Sequence, residues 1–550
     1  MRLRPLAAAN TRQYGRTVAV IRSVSQLFLL MLTSGALDSE QPMEVISWLV
    51  RPPPHGNRLL VLTSLMPQRS RKARNGCRLA GHTHRRVVAP IEMPSPFCKR
   101  SHQYANLLSN CTTPNHMSSL KVLISGGGIG GPALAFWLAK LGHDVTILER
   151  SPSLRVQGQQ IDLRGQGVTV VRRMGLEGLI RDKVVNEAGV RFVNGKGKTQ
   201  ATFEANKSGV GKQGFTSEFE IMRGDLVRLL FDKTTALGVK YIFGVKIETF
   251  EQDAGSVTVH LSDGTTDTFD LLVGADGQGS KTRRLMLSPG EKDPFYPLGV
   301  HMAFYTVPKW KTDDNYATVC VCPKKRVLFS RNDNPETTQA YLAVCPPDKE
   351  TEKLLIETER SRDLVRQKQV WSELFKDAGW QADRFCDALN EDGVSNDFYC
   401  VEIGQIRMGK CYKNRVALLG DAGYAPSVLT GRGTTCAFIG AYVLAGEISK
   451  HCSGSSGKAT DGIPAALESY NKEILELMKE VQDIGFKPSW IYPNSSWVIS
   501  ILYTILWLVS TLRIDKILQR LQSDDVPGWQ LPDYSGLAYA EEKEAKKLAH

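Results

Sequence analysis

Three clusters of small and acidic residues in this chain have the types and spacing to hold a dinucleotide. The first is Gly126, Gly128 and Gly131, a G-x-G-x-x-G pattern, with Glu149 placed 18 residues beyond the last glycine. The first glycine allows a tight turn out of a strand, the second lets backbone approach a pyrophosphate, and the third lets a helix pack close to a sheet. A helix starting there aims its N–H groups and positive dipole end at the phosphates. A carboxylate at position 149 accepts hydrogen bonds from a ribose diol. The second cluster is Asp276 and Gly277, in DLLVGADGQGSKTRR. The third is Asp421 with Pro426, Gly431 and Gly433, in VALLGDAGYAPSVLTGRG. Asp421 suits a ribitol or ribose hydroxyl, and the loop and helix after it suit the polar edge of a ring system. The glycine pattern alone leaves open whether the dinucleotide is FAD or a nicotinamide.

These residues need particular elements behind them. LKVLIS, an amphipathic run and DVTILER read as strand, helix and strand around the glycines. Arg150, Arg155 and Arg164 follow as three cations in one short region, suited to diphosphate oxygens or to a phosphorylated nicotinamide. Asp162 stands in the extended segment QQIDLRG, ahead of a helix from about 168 to 174. Arg223 opens an amphipathic helix that runs to Gly238. Short strands then lead to the apolar strand that delivers Asp276. Residues 297–345 hold strand-like runs in succession without helices, which predicts an antiparallel sheet set apart from the nucleotide-binding half. His301, Tyr305 and Tyr424 are candidates for polar contacts to a substrate, and no residue is singled out as a catalytic base.

Bulk properties exclude several classes. The 550-residue chain carries 69 Lys+Arg and 57 Asp+Glu, a formal charge of +12. Residues 1–116 hold 16 of the basic and 4 of the acidic residues, so the remainder is balanced at 53 each. That balance removes a nucleic-acid reading. The 11 cysteines are odd in number and scattered, and Cys320 and Cys322 are too close for ordinary zinc spacing. Reduced thiols, a cytoplasmic setting and no metal are expected.

The two ends of the chain read differently. Residues 1–116 form an Arg-, Pro- and Ser-rich leader without sustained periodicity, compatible with a mitochondrial targeting segment. It also fits an artefact of the assigned start, because Met117 directly precedes the first strand. Near the C-terminus, Pro488–Leu512 is a run of 25 residues without a charge, containing Trp490, Trp497 and Trp507. A helix beginning after Ser495–Ser496 has about 16 residues and spans about 24 Å, short of a hydrocarbon core of roughly 30 Å. It reads as a buried or domain-bridging helix, with membrane-surface contact through 490–521 and a true span as the alternatives.

In this order, the three motifs resemble the single-component flavoprotein monooxygenases, the group that includes para-hydroxybenzoate hydroxylase and the tetracycline-inactivating monooxygenase. The resemblance runs from about Lys121 to about Ile448. It implies an α/β (α+β) architecture: a three-layer, Rossmann-like FAD domain with an inserted substrate domain on a large mixed or antiparallel sheet, plus C-terminal helices. The corresponding partition is FAD-domain segments 117–190, 216–296 and 401–450, substrate-domain segments 191–215 and 297–400, and C-terminal helices over 451–550. The implied reaction uses NADPH or NADH and O2, through a flavin C4a-hydroperoxide, to place one oxygen on a small organic substrate, aromatic or polyketide-like. An oxidase or halogenase on the same fold and a non-catalytic FAD-fold protein are the alternatives; the halogenase signature W-x-W-x-I-P is absent.

The resemblance also assigns residues. It implies Gly126, Gly128 and Gly131 as the pyrophosphate loop and Glu149 as the ribose carboxylate, with Arg150 beside it. Asp162 and Arg223 resemble the flavin-binding pair of the tetracycline-oxidising branch, and Arg155 its NADPH contact. Asp276 and Gly277 match a segment serving both FAD and NAD(P)H, and Asp421 the ribityl-binding residue. The third motif departs from the common GDAAH and PxxGQG forms. Tyr424 replaces the His, Arg432 occupies the Gln position, and Gly440 stands where Asp is frequent. Pro426, Gly431 and Gly433 remain, so FAD stays implied while the substrate does not carry over.

Overall fold

Leu120, Val122, Leu123 and Ile124 are all buried, so the strand they form is apolar on both faces, as a strand inside a parallel sheet must be. The computed structural model describes residues 119–207, 213–214, 216–332, 334–452, 458–485, 492–521 and 523–537. The leader 1–116 and Trp490 lie outside them. β1 (Lys121–Ser125), α1 (Gly130–Lys140) and β2 (Asp144–Glu149) follow as a βαβ unit, with β1 and β2 parallel. Next come β3 (Gln160–Asp162), α2 (Gln166–Arg173), α3 (Glu177–Arg181), β4 (Gly189–Val193) and β5 (Thr199–Glu204). β6 (Glu220–Met222) runs straight into α4 (Arg223–Ala236), and β7 (Lys240–Phe243) follows. β8 (Ile247–Gln252), β9 (Val257–Leu261) and β10 (Thr266–Phe269) form an antiparallel meander that leads into β11 (Leu271–Gly274) and α5 (Lys281–Met286).

The chain then builds most of a second sheet from β12 (Phe295–Pro308), β13 (Tyr316–Cys322), β14 (Arg326–Arg331) and β15 (Thr337–Val344). Helices α6 (Lys349–Ser361), α7 (Leu364–Phe375) and α8 (Ala382–Asn390) precede its last strand, β16 (Tyr399–Ile406). β17 (Tyr412–Lys413), β18 (Val416–Leu418), α9 (Asp421–Tyr424) and α10 (Gly433–His451) return to the first half. α11 (Ile463–Val481), α12 (Ser496–Thr511) and α13 (Ile514–Leu521) follow.

The nucleotide-binding half has three layers. Its sheet runs β17-β18-β11-β1-β2-β7. One face packs Val122, Ile124 and Val273 against α1, α10 and α11. The other packs Leu123, Leu272 and Leu418 against the β8–β10 meander. The second sheet runs β16-β12-β15-β14-β13-β4-β5 and is antiparallel except where β4 pairs with β13. α7 and α8 cover its far face over Ala303, Tyr305, Leu328 and Leu342.

Two boundaries move relative to the sequence reading. β16 stays paired with β12 as far as Ile406, so the division drawn at 400 falls inside a strand. The helices after 451 are not one unit either. α11 belongs to the nucleotide-binding core, whereas α12 lays Ile499, Tyr503, Leu506 and Val509 on Ala201, Phe203 and Val321 of the second sheet. Among the described residues, no helix is long and apolar enough to cross a membrane.

Tyr503 pins α12 to that sheet. Its Oη donates to the Val193 carbonyl at 2.6 Å and accepts from the Val321 amide at 3.0 Å. Tyr503→Phe keeps the ring and leaves the buried Val321 N–H without that partner, so it is expected to cost about 1–3 kcal/mol. A denaturation midpoint equal to that of the parent protein would remove this role from Tyr503.

Candidate functional site

The glycines of the first motif do different physical work. Gly126 has φ +119, and a Cβ there would meet the Ala275 carbonyl oxygen at 2.3 Å. A Cβ on Gly131 would meet the Gly126 carbonyl oxygen at 2.1 Å. Both glycines let backbones touch, between neighbouring strand ends and between helix and turn. At Gly128 the nearest atom is Arg223 Nη2, 3.6 Å from where a Cβ would stand. Gly128 therefore faces open space at the start of α1, as a pyrophosphate site requires. Glu149 ends β2, buried, with one carboxylate oxygen accepting from Gly127 N at 3.0 Å and the other from Ser151 N at 2.9 Å. An ionised carboxylate has lone pairs to spare beyond these two.

Arg223 opens α4 and reaches back across the segment after β2. Its Nη1 donates to the Arg155 and Gln157 carbonyls, both at 2.9 Å. Burial lowers its pKa. Arg155 contributes its carbonyl here, while its side chain is exposed. Gly158 was not singled out from the sequence, yet a Cβ there would sit 2.7 Å from Arg223 Cδ. Arg150 is exposed.

Asp276 lies at the end of β11, and its carboxylate is committed to a helix start. It accepts from Lys281 N at 2.9 Å, from Thr282 N at 3.0 Å and from the Ser280 and Thr282 hydroxyls. What it leaves facing outward is the backbone of Gly277, at φ +78 with nothing close to its Cα.

Asp421 differs from the other acids. No protein group donates a hydrogen bond to its carboxylate among the described residues, and it forms no ion pair there. Burial raises its pKa, yet the residue remains exposed to solvent-sized space. A carboxylate deep in protein mass that still faces open space lines a cleft. Gly433, the first residue of α10, has its missing Cβ position 3.8 Å from Asp421 Oδ1. The corresponding position on Gly431 lies 3.6 Å from Asp162 Oδ2. Asp162 pairs with Arg164 at 3.1 Å and keeps its buried Oδ1 without a protein partner. The chain thus brings Asp162, Asp421 and the 426–433 loop around the start of a 19-residue helix.

That loop is held by two glutamines that left no signal in the sequence. Gln405 is fully buried, and its Nε2 donates to the Pro426 and Gln482 carbonyls, both at 3.0 Å. Gln482 Nε2 donates to the carbonyls of Ile406 at 2.8 Å and Ala425 at 3.2 Å. Ser427 takes φ +83, a conformation rare for a residue with a side chain. Arg432, at the family's Gln position, donates to the Asp524 carbonyl at 3.0 Å and so ties the loop to a C-terminal strap.

The second sheet turns an aromatic row toward this cleft. Tyr399, Phe304, Tyr341 and Phe329 stand directly opposite one another on four adjacent strands. Their neighbouring ring centroids are 4.9–5.2 Å apart. Gln159, Met222 and Leu429 reach this face from the nucleotide-binding half. Burial pushes the Tyr399 phenol up to about 12.

The three polar candidates from the sequence lie elsewhere. Tyr305 is on the opposite face of β12, and its Oη donates to the Phe385 carbonyl at 3.0 Å. His301 is buried, two residues before Ala303 and four before Tyr305 on the same strand, with its pKa lowered to about 4 by burial. Tyr424 is buried, and its Oη bonds the Tyr470 Oη at 3.0 Å. Tyr470 in turn donates to the Leu418 carbonyl at 2.8 Å. A Cβ on Gly440 would fall 1.9 Å from Tyr424 Oη. The two departures from the common motif therefore form one packing solution: the phenol occupies the space that a side chain at 440 would need. Cys320 and Cys322 are buried free thiols with Sγ atoms 3.7 Å apart. No cluster among the described residues could hold a metal.

Residues 119–484 match the family described as FAD binding domain. An FAD-dependent monooxygenase of Sarocladium schorii is 40% identical over 436 residues, covering 76% of this chain and 99% of its own. A flavin-dependent monooxygenase of a Phoma species is likewise 40% identical, with the same coverage. Among solved structures, tetracycline destructase Tet(55) aligns over 76% of this chain and 99% of its own, at 29% identity and a TM-score of 0.59. The FAD-complexed HpxO of Klebsiella pneumoniae, 20% identical over 74% of this chain and 98% of its own with a TM-score of 0.53, shares the fold.

The Tyr424–Gly440 pairing yields a direct test. Gly440→Ala is expected to destabilise the protein by about 1–3 kcal/mol through overpacking. Adding Tyr424→Phe, which removes the clashing oxygen, should recover part of that loss. Additive effects of the two changes in thermal denaturation would contradict the coupling.

Proposed function

Because the chain belongs to the FAD-dependent monooxygenases, we propose that its cleft binds FAD in one extended run from Glu149 to the 426–433 loop, and that NADPH or NADH reduces it. The observation that carries this reading is Asp421, a carboxylate raised by burial, without a protein partner and open to the cleft. A ligand hydroxyl satisfies it. Glu149 takes the adenosine ribose with its remaining lone pairs. Gly126, Gly128 and Gly131 with the start of α1 take the pyrophosphate, flanked by Arg150, Arg223 and the Gly277 backbone. Asp276 acts on this segment indirectly, by fixing the start of α5. Asp421 takes the ribityl chain. Asp162, Pro426, Gly431, Gly433 and the start of α10 take the polar edge of the ring. Arg155, exposed beside Arg223, is the contact for the nicotinamide cosubstrate.

When bound and reduced, FAD supplies the oxygen activation. The chain's own residues position the substrate and keep water from it. The Tyr399–Phe304–Tyr341–Phe329 row lines this side of the sheet with aromatic rings, edge-to-face at Phe304–Tyr341, and Tyr341 Oη donates to Gln339 Oε1 at 2.7 Å beside it. That face suits an aromatic or polyketide-like substrate. Neither His301 nor Tyr305 lies on it, so neither serves as a base here. The work proceeds in the cytoplasm, on a small molecule and O2.

The purified protein is expected to be yellow and to consume NADPH and O2 faster when a phenolic or polyketide substrate is added. A colourless protein that fails to take up added FAD would sink the reading. A sharper test uses Asp421→Asn. The folded carboxyl has its pKa raised and the unfolded one does not, so the folded apoprotein binds the proton first. The penalty is absent below the unfolded value and complete above the raised folded one. Asp421→Asn should therefore raise the melting temperature of the apoprotein at neutral pH, with the gain fading in acid, while FAD retention falls. Unchanged flavin content in this variant would refute the role given to Asp421.

A further inference from the structure

α12 has one face docked and one face bare. Its docked face is Ile499, Tyr503, Leu506 and Val509. Its outer arc carries Trp497, Ile501, Trp507, Leu508 and Leu512, and Ile517 continues it on α13; all six are between 39% and 57% exposed. Scattered single apolar residues on a surface are ordinary, but a contiguous stripe of this size marks an interaction site.

Two further features say what covers it. Two polar side chains on the outer arc, Ser500 and Thr504, are turned inward on the helix itself. Ser500 Oγ donates to the Ser496 carbonyl at 3.0 Å, and Thr504 Oγ1 to the Ser500 carbonyl at 2.8 Å. Hydroxyls that return their protons to the preceding turn present no free donor to the surroundings. The charges, by contrast, gather at the ends. Residues 492–512 contain none, and 513–521 contain Arg513, Lys516 and Arg520 against the single acid Asp515. At the other end Lys324 and Lys325 donate backbone N–H groups to Asn494 and Pro493, at 3.0 and 3.3 Å. Lys324 is paired there with Asp377 at 2.6 Å, so the free cations stand at the C-terminal end. An apolar helix face carrying two tryptophans and running into Arg513 and Arg520 matches the layering of an anionic lipid surface.

We propose that the outer face of α12, with the start of α13, seats the protein on anionic membrane surface. The helix lies in the plane of the interface. Its inner face stays on the second sheet, so it does not insert end-on. Trp497 and Trp507 enter the headgroup region, and Arg513 and Arg520 meet lipid phosphates. Lys516 is already engaged by Glu204 at 2.9 Å and contributes less.

The test uses the full chain loaded with FAD and vesicles of phosphatidylcholine, with and without phosphatidylserine. The parent protein is expected to pellet with the mixed vesicles at low salt, with tryptophan emission shifted to the blue and quenched by brominated lipid. Trp497→Ser with Trp507→Ser should weaken binding by about tenfold or more. Arg513→Gln and Arg520→Gln should each weaken it about fivefold on mixed vesicles, and hardly at all on phosphatidylcholine alone. Flavin content and visible spectrum report that the variants remain folded. Failure of the parent protein to pellet overturns the proposal. So does quenching that persists in the tryptophan double variant. A concentration-dependent dimer in sedimentation velocity that Leu508→Ser abolishes would also overturn it, by giving the face to a second copy of the chain.

Discussion

The nucleotide-binding half depends on a backbone contact that admits no side chain. The Gly131 Cα lies against the Gly126 carbonyl, and the Gly126 Cα against the Ala275 carbonyl. These two approaches bring α1, β1 and β11 together at their ends. A Cβ at either position would push helix from sheet and open the end of the strand pair. Everything that follows uses the resulting geometry. Glu149 can reach Gly127 N only because β2 ends level with the turn. The Gly128 backbone can face open space only because its neighbours have closed up around it. Hydrophobic burial of β1 on both faces supplies the driving force, and the glycines convert that burial into a gap of defined shape.

The same logic explains why the third motif tolerates its departures. A buried phenol needs a partner for its hydroxyl. Tyr424 finds one in Tyr470, which donates its own hydroxyl hydrogen bond to the Leu418 carbonyl at the end of β18. Leu418 lies three residues before Asp421, so the tyrosine pair braces the strand end that delivers the cleft-facing acid. Gly440 supplies the room. The pair has moved inward, into the core, while Asp421 and Gly433 keep their places at the cleft. The motif is therefore two things at once: a face on the cleft and a packing layer behind it, and the layer can change its chemistry while the face does not.

The sequence carried the parts of this architecture that depend on local patterning. The βαβ unit, the meander and the second sheet all follow from runs of apolar residues and turn residues. Glycine spacing placed the first motif on a strand–helix junction, where it lies. What could not be read were long-range hydrogen bonds by residues with no distinctive neighbours. Gln405 and Gln482 fix the 426–433 loop from two different elements, and an isolated glutamine in a sequence has no periodicity to betray it. Strand facing was the other gap. His301 and Tyr305 lie on the helix-covered side of β12, whereas Phe304, between them in phase, lies on the cleft side. A strand buried on both faces gives no alternation from which to choose. Asp276 shows a third kind of gap: the residue type and position were legible, but its carboxylate serves the start of α5.

Two acids without a full set of protein partners stand where the chain is expected to meet something else. Asp421 lies beside Gly433 and Asp162 beside Gly431 on the same loop, and the buried Oδ1 of Asp162 is costly without a partner. Nearby, Arg331 pairs with Glu187 and Glu220 in a buried ion cluster, and Glu220 lies opposite Asp162 across β3 and β6. Burial holds the Glu220 carboxyl well above its ordinary range, so the cluster resists taking on further negative charge. Asp162 is thereby left as the acceptor facing the loop, with Arg164 steadying it from behind. A fold under selection for stability alone would have paired or removed these acids. Their placement around one loop, beside Gly431 and Gly433, is what a ligand carrying hydrogen-bond donors would satisfy.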